Sequence, residues 1–164
     1  MSIASKHDKD PSDAQITHEQ MKAAIEDTIH DYFSSGKIKQ VRDIGDGLCY
    51  EFIANVFEKL GIQDGEKGVM TVRTEDFDCE EWYADIQMLR DMNEPIPDDI
   101  PISDLAELIG QASHEWLKLD SLYYDATAPN GVSHFLELPF FADQINGLRE
   151  ELASNAQPNT STMK

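Results

Sequence analysis

Residues 114–132 read HEWLKLDSLYYDATAPNGV, and this stretch carries the reading on which the fold turns. Two short runs of β-forming residues, HEWLKL and LYYDA, flank Asp120 and Ser121, and a two-residue connection between such runs makes a hairpin. Alternate side chains of a strand share a face, so His114 and Trp116 point one way and Glu115 and Leu117 the other. With Asp120 and Ser121 as the turn, Trp116 stands opposite Asp125 and His114 opposite Thr127. His114 and Asp125 then become diagonal neighbours on one face, within reach of a side-chain hydrogen bond. A slip of one residue would turn Asp125 away.

Downstream, the turn signal APNG is followed by FLEL, which the pattern predicts as a further strand, and FFADQINGLREELAS, which it predicts as a closing helix. Upstream, Met21, Ala24, Ile25, Ile29 and Phe33 recur at roughly helical spacing. Thr17 followed by Gln20 has the form of a capping box, and Gly36 marks the end of that helix. A second helix starts after Gly45-Asp46-Gly47, runs through Phe52, Ile53, Val56 and Leu60, and stops at Gly61. Its first turn contains Cys49. Val69–Arg73 is predicted as a strand and Cys79–Met92 as a helix with Trp82, Ile86 and Leu89 on one side. PIPDDIP must be a loop because Pro95, Pro97 and Pro101 deny regular pairing, and Ser103 is expected to cap a short helix through Ile109. Helices first and a hairpin-rich sheet later argue for an α+β fold.

The chain of 164 residues, 40% apolar, is long enough for one sizeable core. A single domain over 15–153 is expected, with flexible polar tails at 1–14 and 154–164. No run of roughly 18 apolar residues exists that would cross a bilayer, and the first residues lack the apolar stretch of a secretory signal. Two cysteines, Cys49 and Cys79, are too few for a disulfide framework, so a reducing, cytoplasmic setting is expected. The formal charge is −19, with 13 basic residues against 32 acidic ones, which argues against direct nucleic-acid binding and for cationic partners. Eleven acids and one base, Arg90, fall between Glu75 and Asp104. That segment reads as a solvated face, an anionic rim that attracts basic substrates, or a surface that imitates nucleic acid.

The residues with chemistry to offer are few. A thiol in the first turn of a helix faces the positive end of the helix dipole, which favours its ionised form. Amide groups at the same helix start lack intrahelical partners and are suited to holding an oxyanion. A histidine to take the thiol proton and an acid to orient the imidazole complete a nucleophilic site. The alternative for Cys49 is an inert core thiol, since it shares helical spacing with Phe52, Ile53 and Val56. His134 and Asn130 rank as lesser alternatives to His114 and Asp125. His7, His18 and His30 are expected at the surface, and Cys79 as a small core residue. There is no metal-ligand, phosphate-loop or dinucleotide spacing, so no cofactor is expected.

The two blocks GDGLCYEFIANVFEKLGI and HEWLKLDSLYYDATAPNGV together resemble the transglutaminase-like and papain-like cysteine enzymes. The first is similar to their nucleophile helix, with a glycine before the cysteine and an aromatic three residues after it. The second is similar to their His-x-Trp strand, hairpin and Tyr-Asp strand. The resemblance covers about 37 residues and implies Cys49 as nucleophile, His114 as general base and acid, and Asp125 as orienting acid. It also implies a papain-like or transglutaminase-like core, acting on a protein or peptide amide by hydrolysis, deamidation or transamidation. Gln40, Gly47 and Trp116 are the candidates for the oxyanion and substrate side. Gln40 stands nine residues before Cys49, which departs from the papain-like spacing. The competing expectation is a non-catalytic acidic protein on the same fold that sequesters a basic partner or mimics nucleic acid.

Overall fold

The computed structural model describes residues 14–94 and 96–156. It is a mixed α+β fold with helices at the N-terminal side and a three-stranded antiparallel sheet. The described chain packs as two compact units, one of residues up to 73 with 114–133, the other of residues 74–113 with those from 134 onward.

The first unit starts with α1, His18–Ser34, where Thr17 accepts from the Gln20 amide at 3.1 Å and Gln20 accepts from the Thr17 amide at 2.8 Å. That reciprocal pair satisfies two amides that the helix itself leaves open. Its buried stripe is Met21, Ala24, Ile25, Thr28 and Tyr32, while Phe33 is exposed. Phe33 was expected inward, but the i, i+4 row from Thr28 lands on Tyr32, and one further residue rotates the side chain about 100° away. A short 3-10 turn, Val41–Gly45, leads into α2, Cys49–Leu60, which ends at Gly61 in the left-handed region, φ 69°. Tyr32 ties α1 to α2: its hydroxyl donates to Glu51 at 2.9 Å and accepts from Asn55 at 2.8 Å. Burial, with the Glu51 carboxylate, pushes the phenol up to about 12.

The sheet runs β1 (Val69–Arg73), β2 (Glu115–Leu119), β3 (Leu122–Tyr124), with β2 central and both pairings antiparallel. Leu119 pairs with Leu122 and Leu117 with Tyr124, so Asp120 and Ser121 form the two-residue turn, Asp120 at φ 56°. Leu117 and Leu119 join Phe52, Ile53 and Val56 in the unit's core, with α2 lying against β2. A one-residue slip would withdraw both leucines from that core at a cost of about 4 kcal/mol, which is enough to hold the register.

The second unit is helical: α3 (Cys79–Asp91), α4 (Ile102–Gln111) and α5 (Pro139–Ala156), with 3-10 turns at Thr74–Asp76 and Phe135–Glu137. Asp78 caps α3 through a reciprocal box with Glu81. Trp82 is its buried centre, donating from Nε1 to the Thr74 carbonyl at 2.9 Å, with Phe77 edge-on at 4.9 Å and Phe135 at 5.5 Å.

Several expectations are corrected here. FLEL is a 3-10 turn and not a strand, because His134 caps it and Pro139 opens the next helix. Ser103 lies inside α4, whose N-terminal cap position is Pro101. α5 runs on through Ala156, past the expected boundary at 153. Cys79 is exposed, not a core residue. The remaining parts of the expected tails, 1–13 and 157–164, and with them His7, lie outside the described residues. Among the described residues no helix is long and apolar enough to cross a membrane.

Candidate functional site

Three segments of the first unit supply the site. Cys49 is the first residue of α2, delivered by a loop in which Gly47 takes φ 115°, a backbone conformation that a side chain would strain. The cap position of α2 is Leu48, which offers no side-chain oxygen, so no capping bond is present there. That contrasts with the reciprocal boxes at the starts of α1 and α3. His114 immediately precedes β2 and Asp125 immediately follows β3. Both stand one residue beyond the paired ladder, where side chains are aimed by the hairpin but not consumed by it.

His114 donates from Nε2 to Oδ2 of Asp125 at 2.9 Å. The carboxylate accepts only, which fixes the proton on Nε2 and leaves Nδ1 as the basic nitrogen of the neutral ring. The Cys49 thiol lies near enough to the imidazole to contribute to raising its pKa. Burial works against the charged ring, but the bonds and charges of Asp125 and Cys49 outweigh it and hold His114 above the ordinary imidazole value. Trp116 stacks on the ring at 6.0 Å between centroids.

The second oxygen of Asp125 is fully committed. Oδ1 accepts from the Thr127 amide at 2.9 Å and from its hydroxyl at 2.7 Å. Thr127 thus fixes the orientation of the Asp125 carboxyl, a contact that its place opposite His114 in the hairpin register does not reveal. The spacing Asp-x-Thr is itself the legible signal, an aspartate reaching forward to the amide two residues on.

All three polar residues are enclosed: Cys49 is 3% exposed, His114 3% and Asp125 4%. Trp116 is fully buried behind the imidazole and not on an open substrate face. Gly47 is exposed. Gln40 is exposed and engaged with Asp43, whose carboxylate accepts from the Lys39 and Gln40 amides at 2.9 and 3.0 Å and is held below its usual range by them.

The lesser alternatives go elsewhere. His134 is buried in the second unit, where its Nδ1 accepts from the Leu136 amide at 3.1 Å and its own amide donates to Glu137 at 3.0 Å. Burial lowers its pKa to about 4. Asn130 is exposed. His18 is half-buried and its Nδ1 meets the Tyr124 hydroxyl at 2.6 Å, while His30 is exposed as expected. Among the described residues no group of three or more His, Cys, Asp or Glu side chains is disposed to hold a metal ion.

Comparison of the chain with protein-family models, with curated proteins and with solved structures returns no match.

Proposed function

We propose that this chain is a thiol-dependent acyl-transfer enzyme acting on amides, a cysteine peptidase or amidohydrolase on a papain-like or transglutaminase-like core. What supports the reading is the buried hydrogen bond from His114 to Asp125, with the Cys49 thiol near enough to the same ring to shift its pKa. In the proposed cycle His114 takes the thiol proton and Cys49 attacks the carbonyl carbon. The amides at the start of α2 hold the oxyanion, and His114 returns the proton to the departing nitrogen, leaving a thioester. Water or an amine then attacks the thioester with His114 as base, releasing acid or transferred amide and restoring the thiol.

The test is alkylation in a Cys79→Ser background, so that Cys49 alone reports. At mildly acidic pH an ordinary thiol, with a pKa of roughly 8.5, is almost wholly protonated and reacts slowly with iodoacetamide. Cys49 is expected to react there, and to lose that reactivity in the His114→Ala variant. Reaction of Cys49 only when the protein unfolds would remove the basis for an enzyme. Incubation with unstructured basic polypeptides, followed by mass spectrometry, then separates chain cleavage, Gln-to-Glu conversion and amine incorporation.

The second reading is a non-catalytic acidic binding protein, favoured by the enclosure of the thiol and by the acid surplus of the second unit. Under it Cys49 stays unreactive while basic proteins bind in a manner lost at high salt.

A further inference from the structure

A cleft of about 700 Å³ opens between α4 and α5 in the second unit. Leu108, Leu148 and Leu152 line it as half-buried apolar residues, and Asp104, Glu107 and Glu151 stand among them with no basic residue in the lining. Residues 74–113 and 134–156 hold sixteen acids against two bases, a net of −14. Both bases are engaged within the unit: Arg90 donates to the carbonyls of Pro97 and Ile100, and Arg149 pairs with Asp99. The lining is therefore anionic with nothing of its own to neutralise it.

Gly147 adds an independent observation. It lies within α5 and lines the cleft, and a Cβ built on it meets nothing within 4 Å among the described residues. Gly110 in α4 differs, because a Cβ there would stand 2.6 Å from the Cys79 sulfur, so packing explains it. A glycine inside a helix weakens it relative to alanine, and among the described residues no close contact accounts for one at 147. Such a residue lets another backbone approach the helix closely.

We propose that this cleft is a docking groove for a basic amphipathic helix of a partner protein. Leucine-type anchors at i, i+3 and i+4 would seat on the three leucines, Gly147 would admit the partner's backbone, and flanking Lys or Arg would meet Asp104, Glu107 and Glu151. From Gln144 to Leu152 the groove runs about 12 Å, two helical turns. The groove lies wholly in the second unit, so it stands whether or not Cys49 is reactive.

The probe is a fluorescein-labelled 14-residue peptide of leucine and lysine with the leucines on one helical face, read by fluorescence anisotropy on the full chain. One-to-one binding is expected, weakened as salt rises and weakened about tenfold or more by Glu107→Lys with Glu151→Lys. Gly147→Trp, and Gly147→Leu as a milder filling, should abolish it with the circular dichroism spectrum unchanged. A scrambled peptide of the same composition that binds equally well would overturn the groove in favour of diffuse charge. Unaltered binding to both Gly147 variants would do the same. Sedimentation showing a dimer that Gly147→Trp dissociates would assign the groove to a second copy of this chain instead.

Discussion

His114 in the first unit and His134 in the second are the same side chain, 3% and 2% exposed, yet they end in opposite electrostatic states. Burial penalises the charged form of both. At His114 the Asp125 carboxylate and the Cys49 thiol overcome that penalty and the pKa rises; at His134 the charge of Glu137 works against burial but does not overcome it, and the pKa falls to about 4. His134 spends its Nδ1 lone pair on a backbone amide, which makes it a structural cap. His114 spends its Nε2 proton on a carboxylate, which leaves a basic nitrogen to use. Burial alone therefore says nothing about the role of a histidine; the chemistry of its second partner does.

The sharpest way to break this contrast is to remove each ring in turn. His114→Ala is expected to lower the alkylation rate of Cys49 at mildly acidic pH by about 10³-fold, in line with the loss of a triad base, while His134→Asn leaves it unchanged. Equal losses would mean that fold disruption and not proton transfer was measured.

Asp125→Asn comes next. The Thr127 amide claims an acceptor at Oδ1, so the NH₂ of an asparagine is driven to the His114 side. The ring must then accept at Nε2 and carry its proton on Nδ1, where it can no longer take one from the thiol. A fall of about 10² to 10³ in Cys49 reactivity is expected, with the near-ultraviolet dichroism preserved.

The pH dependence of stability separates the rings by sign. His134 has its folded pKa depressed from 6.5 to about 4, so the neutral folded form keeps its full advantage above 6.5. That advantage, about 3 kcal/mol, is lost as pH falls from 6.5 towards 4. His114 is raised above 6.5, so its contribution is fully present below 6.5 and is lost as pH rises through the folded value. Urea unfolding across this range should show the acid-side loss shrink in His134→Asn, which keeps a capping acceptor but does not titrate. Two-dimensional NMR titration in which His134 titrates above His114 would reverse the comparison altogether.

Thr127→Val is the smallest effect. It removes one hydrogen bond to Oδ1 and keeps the amide, so about 1 kcal/mol, or roughly a fivefold drop in Cys49 reactivity, is expected, restored by Thr127→Ser. A loss that serine does not restore would point to packing and not to the hydroxyl.

Much of this arrangement was legible in the sequence where interactions are short in range. The Thr17 box, the start of α2 at Cys49, the Gly61 stop and the Asp120-Ser121 turn each depend on residues within three or four positions of one another. The turn then set the His114 to Asp125 diagonal by counting, since the register beyond a two-residue turn is fixed. FLEL misled because a short apolar run has no helix or strand signature of its own; a histidine cap and a following proline decided it. Phe33 misled because two adjacent aromatics, Tyr32 and Phe33, compete for one stripe and only the packing partner on α2 selects between them.

Sequence by itself thus determined the caps, the strand register and the orientation of His114 towards Asp125, because each rests on local backbone geometry and side-chain reach. Tertiary structure alone decided that the thiol of Cys49, 65 positions before His114, lies near enough to the same imidazole to raise its pKa, that Oδ1 of Asp125 is locked by Thr127, and that Cys79 is exposed while Cys49 is enclosed. Those outcomes depend on how α2 packs against β2 and on how α3 packs against α4, and contacts between segments so far apart in the chain are set by burial of whole surfaces, which no local pattern encodes.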